Sequence, residues 1–344
     1  MNRGDNVYFF KERAGIMKEK IKSVLWIIIG ISLSLCVSGC GVSGGFVPIQ
    51  NRAQKPAYAV IHDDLGRTVT LSAKPQRVII LTTSLLSFSA AVNGPIVGRT
   101  TVRSKQIHIP SQYIQATEVG PVYAVSMEKV LALQPDLIII GAHSQEKLLP
   151  LCEQNQIPVI ALKTKTRQEA TRALQIMGQI YGCPQQAAMA QTVLDKKIQQ
   201  VLNKLPNRTK TAAILHVTPG AVTVELSDSI AGDMARLLRV QNVTCPTGKA
   251  GITKEKVPYS MEALLAADPD VILFTAMGSP DKIDKRLRTD LKANPSWAHL
   301  RAVRTGQVYV LPEQYFLVSP GMDYDKALRY MAKLIYGEAF DATI

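Results

Sequence analysis

The sequence predicts an α/β protein made of two similar α/β lobes with mostly parallel sheets, joined by a long connecting helix, with a ligand cleft between the lobes. Three observations lead there. Short uninterrupted apolar runs, the pattern of strands buried on both faces, alternate with helical stretches in both halves of the chain. Residues 166–205, between the halves, carry no strand signal. Finally, Val125–Ile138 lines up with Tyr259–Ile272 at a constant offset of 134, with Ser, Met, Glu, Leu, Ala, Pro and Asp coinciding. A solenoid would repeat every 20–50 residues or so, so this long period means two lobes.

The elements follow in chain order. Residues 40–57 hold Gly, Ser, Pro, Gln and Asn without periodicity and read as a flexible tether. Tyr58–His62 and Arg67–Leu71 alternate apolar and polar residues about Asp63-Asp64-Leu65-Gly66, which predicts a β-hairpin. Val78–Leu81 is a buried strand and Ser84–Val92 a short helix. Ile96–Gly98, Leu137–Ile140 and Pro158–Leu162 continue the sheet of an N-terminal lobe spanning 58–183. A helix of about 15 residues starts near Thr166. A longer one opens at Pro184, a residue suited to a first helical turn, and Pro206-Asn207 ends it; residues 184–206 are the linking helix. The C-terminal lobe, 207–344, has strand runs at Ala212–Val217, Val271–Phe274 and Val308–Leu311 and a closing amphipathic helix at Met322–Tyr336. In both copies of the repeat a serine caps a short helix, Pro-Asp ends it and an apolar strand follows.

The N-terminus reads as an export address. Met17–Lys22 is basic, Ser23–Leu35 is apolar, and Val37-Ser38-Gly39-Cys40 closes the segment. This is the layout of a secretory signal peptide over residues 1–39, with Met17 as a candidate true start. The apolar run is shorter than the roughly 20 residues a spanning helix needs. Its ending resembles the bacterial lipobox. That resemblance implies a lipidated Cys40, carrying palmitate or a similar chain, and a protein held on the extracytoplasmic face of the cell membrane.

Forty Lys+Arg against 27 Asp+Glu give a net charge of +13 over 344 residues. Residues 1–39 account for six of the bases and three of the acids, which leaves 34 against 24, or +10, on the mature chain. An exported protein meets little nucleic acid, so the field points to anionic small molecules or lipid headgroups. A mean hydropathy of +0.07 with a single apolar stretch excludes a polytopic membrane protein. No strand runs into a Gly-x-Ser-x-Gly elbow, and neither His-Glu-x-x-His nor a phosphate loop occurs, so no enzymatic activity is expected.

Beyond the repeat, the chain carries Asp64-Leu65-Gly66-Arg67-Thr68-Val69, Pro75-Gln76-Arg77-Val78-Ile79 and Trp297–Val303 ahead of Gly306-Gln307-Val308-Tyr309. With both Ser-Met-Glu…Pro-Asp segments, and over about 58–340, it resembles the substrate-binding proteins of ABC importers for iron complexes, haem and cobalamin. The resemblance implies a monomer whose lobes move little about one long helix. It also implies a ferric siderophore, haem or cobalamin as cargo, no cofactor of its own, and a permease dimer with its ATPase as partner. One glutamate on each lobe, Glu128 and Glu262, would dock with arginines of the permease. Their equivalent places in the repeat suit a symmetric partner. A helix-capping role is the competing explanation, but each glutamate comes two residues after its serine, one short of the capping-box spacing.

In open α/β lobes ligands bind beyond the carboxyl ends of the strands. The residues there that suit an anionic chelate or macrocycle are Ser84, Arg99, Arg103, Tyr123 and His143 in the first lobe, and Tyr315 and Met322 in the second. Tyr, His and Met are all axial-ligand types for haem iron, and the sequence does not choose among them. His216, inside a strand, reads as a buried, satisfied histidine. Cys152 and Cys183 share a lobe and either pair in an oxidising compartment or remain single buried thiols. A lipoprotein for free zinc or manganese would need three or four His or carboxylate ligands from both lobes. The five histidines, His62, His108, His143, His216 and His299, are thinly spread for that. A ligand sensor without transport is the other alternative.

Overall fold

Residues 56–142, 144–243, 255–278, 280–289, 293–337 and 340 are described by the computed structural model, all within one unit, Lys55–Ile344. The signal segment, Cys40, most of the tether, His143 and Cys245 lie outside the described residues.

The expected hairpin is β1 (Ala59–His62) paired antiparallel with β2 (Thr68–Leu71). Its turn is built by Asp63, whose buried carboxylate accepts from the backbone N–H groups of Leu65 and Arg67 and from the Arg67 guanidinium at 2.6 Å. The same carboxylate takes the Ala161 N–H at 3.2 Å, and Asp64 takes that of Lys163 at 2.7 Å. Asp-Asp-Leu-Gly-Arg is therefore a docking motif as well as a turn, fastening the hairpin to the edge of the first sheet.

That sheet comprises β3 (Val78–Ile80), β4 (Gly98–Arg99), β5 (Thr117–Glu118), β6 (Leu137–Gly141) and β7 (Val159–Leu162), in the order β5-β4-β3-β6-β7. Every pairing in it is parallel. Val78–Ile80 and Leu137–Ile140 are buried on both faces, which is why their sequences do not alternate. Helices α1 (Leu86–Ala91), α2 (Met127–Ala132) and α3 (Leu149–Gln154) cover it, with α4 (Arg167–Ile180). Thr166 and Glu169 form a reciprocal capping box that starts α4. The expected strand at Ile96–Gly98 pairs two residues later than its apolar run, at Gly98–Arg99, after a bend at Val97.

The linking helix, α5 (Pro184–Leu202), belongs to both lobes. Ala187, near its start, packs into the first lobe's core, while Leu194, Ile198 and Val201 pack into the second. Sharing one rigid helix between two cores limits how far the lobes can separate.

The second sheet comprises β8 (Lys210–Val217), β9 (Val222–Glu225), β10 (Val240–Asn242), β11 (Lys256–Pro258), β12 (Val271–Ala276) and β13 (Val308–Val310). Its order is β11-β9-β8-β12-β13, with β10 beside the first residues of β8. β8–β10, β8–β12 and β12–β13 are parallel; β8–β9 and β9–β11 are antiparallel. The remaining helices are α6 (Ile230–Leu237), α7 (Met261–Ala267), α8 (Pro280–Leu287), α9 (Arg301–Arg304), α10 (Glu313–Phe316) and α11 (Tyr324–Tyr336).

The repeat persists in three dimensions. Val78 pairs with Leu137 and Ala212 with Val271, each pair displaced by the same 134 residues. Ser126 and Ser260 cap their helices through the N–H groups of Lys129 and Ala263. Gln134 and Asp268 both take positive φ, 46° and 35°, in the turn before Pro-Asp. Asp136 then accepts from the Arg77 N–H at 2.9 Å, and Asp270 from the Thr211 N–H at 2.9 Å. The Pro-Asp pair thus clamps each helix–strand turn to the start of the neighbouring strand. Cys152 and Cys183 are both free thiols, so the disulfide alternative is set aside.

Candidate functional site

Strands β3, β6, β8 and β12 all run toward the same kind of edge, their carboxyl ends, where chain leaves the sheet as loops free to meet a ligand. On the first lobe that edge is organised by Gln145, a buried residue absent from the sequence-based candidates. Its Nε2 donates to the Leu81 carbonyl at 2.5 Å and the Val122 carbonyl at 3.3 Å, and its Oε1 accepts from the Gly141 N–H at 3.2 Å. One side chain thereby ties the exits of β3 and β6 to the loop that carries Tyr123. Tyr123 itself projects outward, 79% exposed.

The two arginines separate sharply. Arg99, 4% exposed, is spent inside the lobe: it donates to the carbonyls of Thr100, Tyr113 and Ile114 and to Glu118 Oε1 at 2.9 Å. Its donors hold the loops beyond β4, and it is a scaffold residue instead of the expected ligand contact. Arg103 is exposed and has no partner among the described residues. Beside it, Ser104 donates to Glu313 Oε2 at 2.9 Å, joining the loop beyond β4 to α10 of the other lobe.

Ser84 and Met322 lie in the seam between the lobes. Ser84 Oγ accepts from the Ser319 N–H at 3.2 Å, and Ser87 Oγ accepts from the Met322 N–H at 3.2 Å. The Met322 side chain packs against the cores of both lobes, and Ser319 donates to the Thr164 carbonyl at 2.6 Å. These positions brace the seam between the lobes. Tyr315 is half-buried on α10, its ring 6.4 Å from Phe316 and 6.5 Å from Tyr330. Met277, just past β12, is 52% exposed.

His216 is buried as expected, 7% exposed, within a polar chain the sequence did not reveal. Thr275 Oγ1 donates to Glu225 Oε1 at 2.7 Å, and His216 Nδ1 lies 2.8 Å from Thr275 Oγ1 and 3.3 Å from Glu225. With the Thr275 hydroxyl proton aimed at Glu225, Nδ1 carries the imidazole proton and shares it between Thr275 Oγ1 and Glu225 Oε1. Burial pushes the Glu225 carboxyl up, but the hydrogen bonds from His216 and Thr275 and the charge of Lys256 outweigh it, and the net shift is downward. A lowered native value stabilises the fold above the unfolded carboxylate range and loses that contribution as pH falls through the native value. Glu225→Gln is expected to cost about 2 kcal/mol at neutral pH. Urea unfolding followed from pH 7 into the acid range should show a flatter profile for this variant than for the parent. Parallel profiles would contradict the assignment.

Both repeat glutamates are exposed in the first turns of α2 and α7. Glu128 has no side-chain partner among the described residues. Glu262 Oε2 accepts from Ser260 Oγ at 2.8 Å, and its own backbone N–H and that serine hold its carboxyl below the usual range. Spacing alone argued against a capping role. Glu262 nevertheless contributes to its cap while remaining exposed. Among the described residues no three His, Cys, Asp or Glu side chains converge as a metal site, and no helix is long and apolar enough to cross a membrane.

Comparison with known proteins agrees with this architecture. A high-affinity haem uptake system protein of Staphylococcus aureus, IsdE, is 24% identical over 262 residues, covering 76% of this chain and 87% of the relative. The crystal structure of S. aureus IsdE complexed with haem superimposes with a TM-score of 0.67, covering 76% of this chain and 98% of that one. An ABC transporter substrate-binding protein from Listeria monocytogenes gives 0.67 at 23% identity, covering 77% of this chain and 99% of that one. Residues 78–315 match the family model described as periplasmic binding protein, a span running from β3 to α10 and taking in both sheets, the linking helix α5 and both repeat glutamates; the chain belongs to the periplasmic binding protein family.

Proposed function

We propose that this chain is a lipid-anchored, extracytoplasmic substrate-binding protein that captures an iron chelate, a haem or a ferric siderophore, and delivers it to an ABC permease. The observation that carries the reading is the pair of exposed glutamates at equivalent places on two lobes, in a chain of the periplasmic binding protein family. The haem-related names of its relatives favour an iron chelate as cargo.

Capture uses the carboxyl edges of the two sheets, with Arg103, Tyr123 and Tyr315 among the described side chains a ligand can reach, and His143 a candidate outside the described residues. Arg103 offers a forked cation for acidic oxygens, and the tyrosines offer flat apolar area. The shared helix α5 and the Ser84–Ser319 seam keep the lobes near one separation, so recognition by the permease depends on surface features already in place. Cys40, once lipidated, holds the protein at the membrane surface. No bond is made or broken by this chain, and a separate ATPase supplies the energy.

The test is a fluorescence titration of the full chain in detergent with haem, ferric siderophores, cobalamin, zinc and manganese. Saturable quenching below micromolar concentration by an iron chelate, without response to free metal, is the expected result. A response to zinc or manganese alone would overturn it. The N-terminal peptide of membrane-extracted protein should have the mass of a lipidated Cys40, and an intact Met1 would refute the anchor.

A further inference from the structure

The loop between β5 and α2 closes its base with two backbone bonds. The Ser126 N–H donates to the Val119 carbonyl at 2.7 Å, and the Thr101 N–H to the Gly120 carbonyl at 2.9 Å. Gly120 takes a φ of 109°, and a Cβ there would meet the Ala124 carbonyl oxygen at 2.6 Å, so the loop folds back tightly on itself. The Ala124 N–H then donates to the Pro121 carbonyl at 2.9 Å, which puts Val122 and Tyr123 at the central positions of a β-turn. Both are exposed, and Tyr123 is the most exposed large hydrophobic side chain among the described residues. Among the described residues, one hydrogen bond ties this pair to the sheet, from Gln145 Nε2 to the Val122 carbonyl. Register at the amide's other two partners is set without it: the Leu81 N–H donates to the Ile139 carbonyl at 2.9 Å, and Gly141 pairs with Leu162 of β7. An apolar side chain would fill the place of Gln145, 2% exposed, without the cost of desolvating an amide. What the amide adds beyond the strand ladder is its hold on the turn.

We propose that Gln145 is a positioning residue for cargo recognition: it fixes the turn that presents Tyr123, and the hold on the chelate depends on it although it need not touch the chelate. This role rests on the reading of the chain as a chelate-binding protein and adds to it how the first lobe readies its exposed aromatic contact. Ordering a loop and its side chains at the moment of binding subtracts from affinity, whereas a turn fixed beforehand avoids that loss. The three bonds of Gln145 fit one orientation of the amide, with Nε2 toward two carbonyls and Oε1 toward an N–H, so the side chain is itself held and can hold the turn.

The experiment titrates the full chain in detergent with haem and with a ferric tris-catecholate, following the visible absorption band of each. The proteins compared are the parent, Gln145→Met, Tyr123→Ala and the double variant. Methionine keeps the length and unbranched shape of glutamine and loses its amide. Gln145→Met should weaken binding of the probe the parent takes by about three- to tenfold. With Tyr123 already replaced by alanine, the same change should cost less than about twofold, because its effect passes through that residue. The band of the bound probe should move in the same direction in Gln145→Met as in Tyr123→Ala, which a general loss of stability would not produce. Pro121→Gly loosens the turn without touching the buried amide and should weaken binding as well; it carries the test if Gln145→Met does not fold. Binding like the parent's in any single variant, an equal loss from Gln145→Met in both backgrounds, or an unmoved band overturns the positioning role while chelate binding itself stands. A parent that binds neither probe overturns both.

Discussion

Reversing both repeat glutamates, Glu128→Arg with Glu262→Arg, is expected to abolish cellular uptake of the iron-labelled chelate while leaving the affinity of the extracted protein for it unchanged. The two carboxylates head equivalent helices in equivalent turns, so a two-fold partner meets the same group twice. Opposed charges at a docking rim steer and orient the encounter, and a like charge placed there repels it. One reversal should leave weak uptake and the pair none. Glu262 also accepts from Ser260, so part of its effect could come through the helix start. Glu262→Gln separates the two roles, because the amide oxygen keeps that hydrogen bond while the charge is lost. Normal uptake by the doubly reversed protein would end the docking assignment.

Much of the fold was legible because burial on both faces leaves a compositional trace. Val78–Leu81, Leu137–Ile140 and Ala212–Val217 could be placed from their apolar runs alone, and the offset of 134 reproduced the strand register. The short outer strands of the second sheet, parallel β10 and antiparallel β11, left no such trace. β10 and β11 are three residues each, one ending in Asn and the other in Pro, and their pairing follows from where β8 and β9 already lie. The site was less legible for a related reason. Position after a strand end places a residue at the cleft edge but does not say where its side chain turns. Arg99 turns inward to four acceptors, and Ser84 meets the other lobe, while Arg103 and Tyr123 remain open. Gln145 and Glu225 were missed because a buried polar residue looks like any surface one until its partners, 64 and 50 residues away, are folded against it.

Asp233→Ala is expected to lower the unfolding free energy by about 3 kcal/mol, read as a fall in the urea midpoint. Asp233 is 2% exposed on α6 and joins three elements at once. Its Oδ2 accepts from the Arg167 N–H at 2.7 Å, where the first lobe's chain enters α4, and from the Tyr324 hydroxyl at 2.6 Å, at the head of α11. Its Oδ1 accepts from Arg236 at 2.6 Å. Arg167 extends the node to the linking helix α5 through an ion pair with Asp195. Burial lowers the Arg167 guanidinium from its ordinary value, and the charges of Tyr324 and Asp233 work against that shift. Burial also raises the Tyr324 hydroxyl well above its ordinary value, with the Asp233 charge adding to the effect, so it remains a donor. Removing the acceptor strands a buried hydroxyl and a backbone N–H together, and leaves a half-buried guanidinium with less of its compensating charge. Asp233→Asn retains an acceptor and should cost less than half as much. Exposed pairs such as Arg288–Asp284 should contribute well under 1 kcal/mol when broken, since water substitutes for the lost partner. Equal costs for Asp233→Ala and Asp284→Ala would mean that the node between the lobes is solvated and does not set their separation.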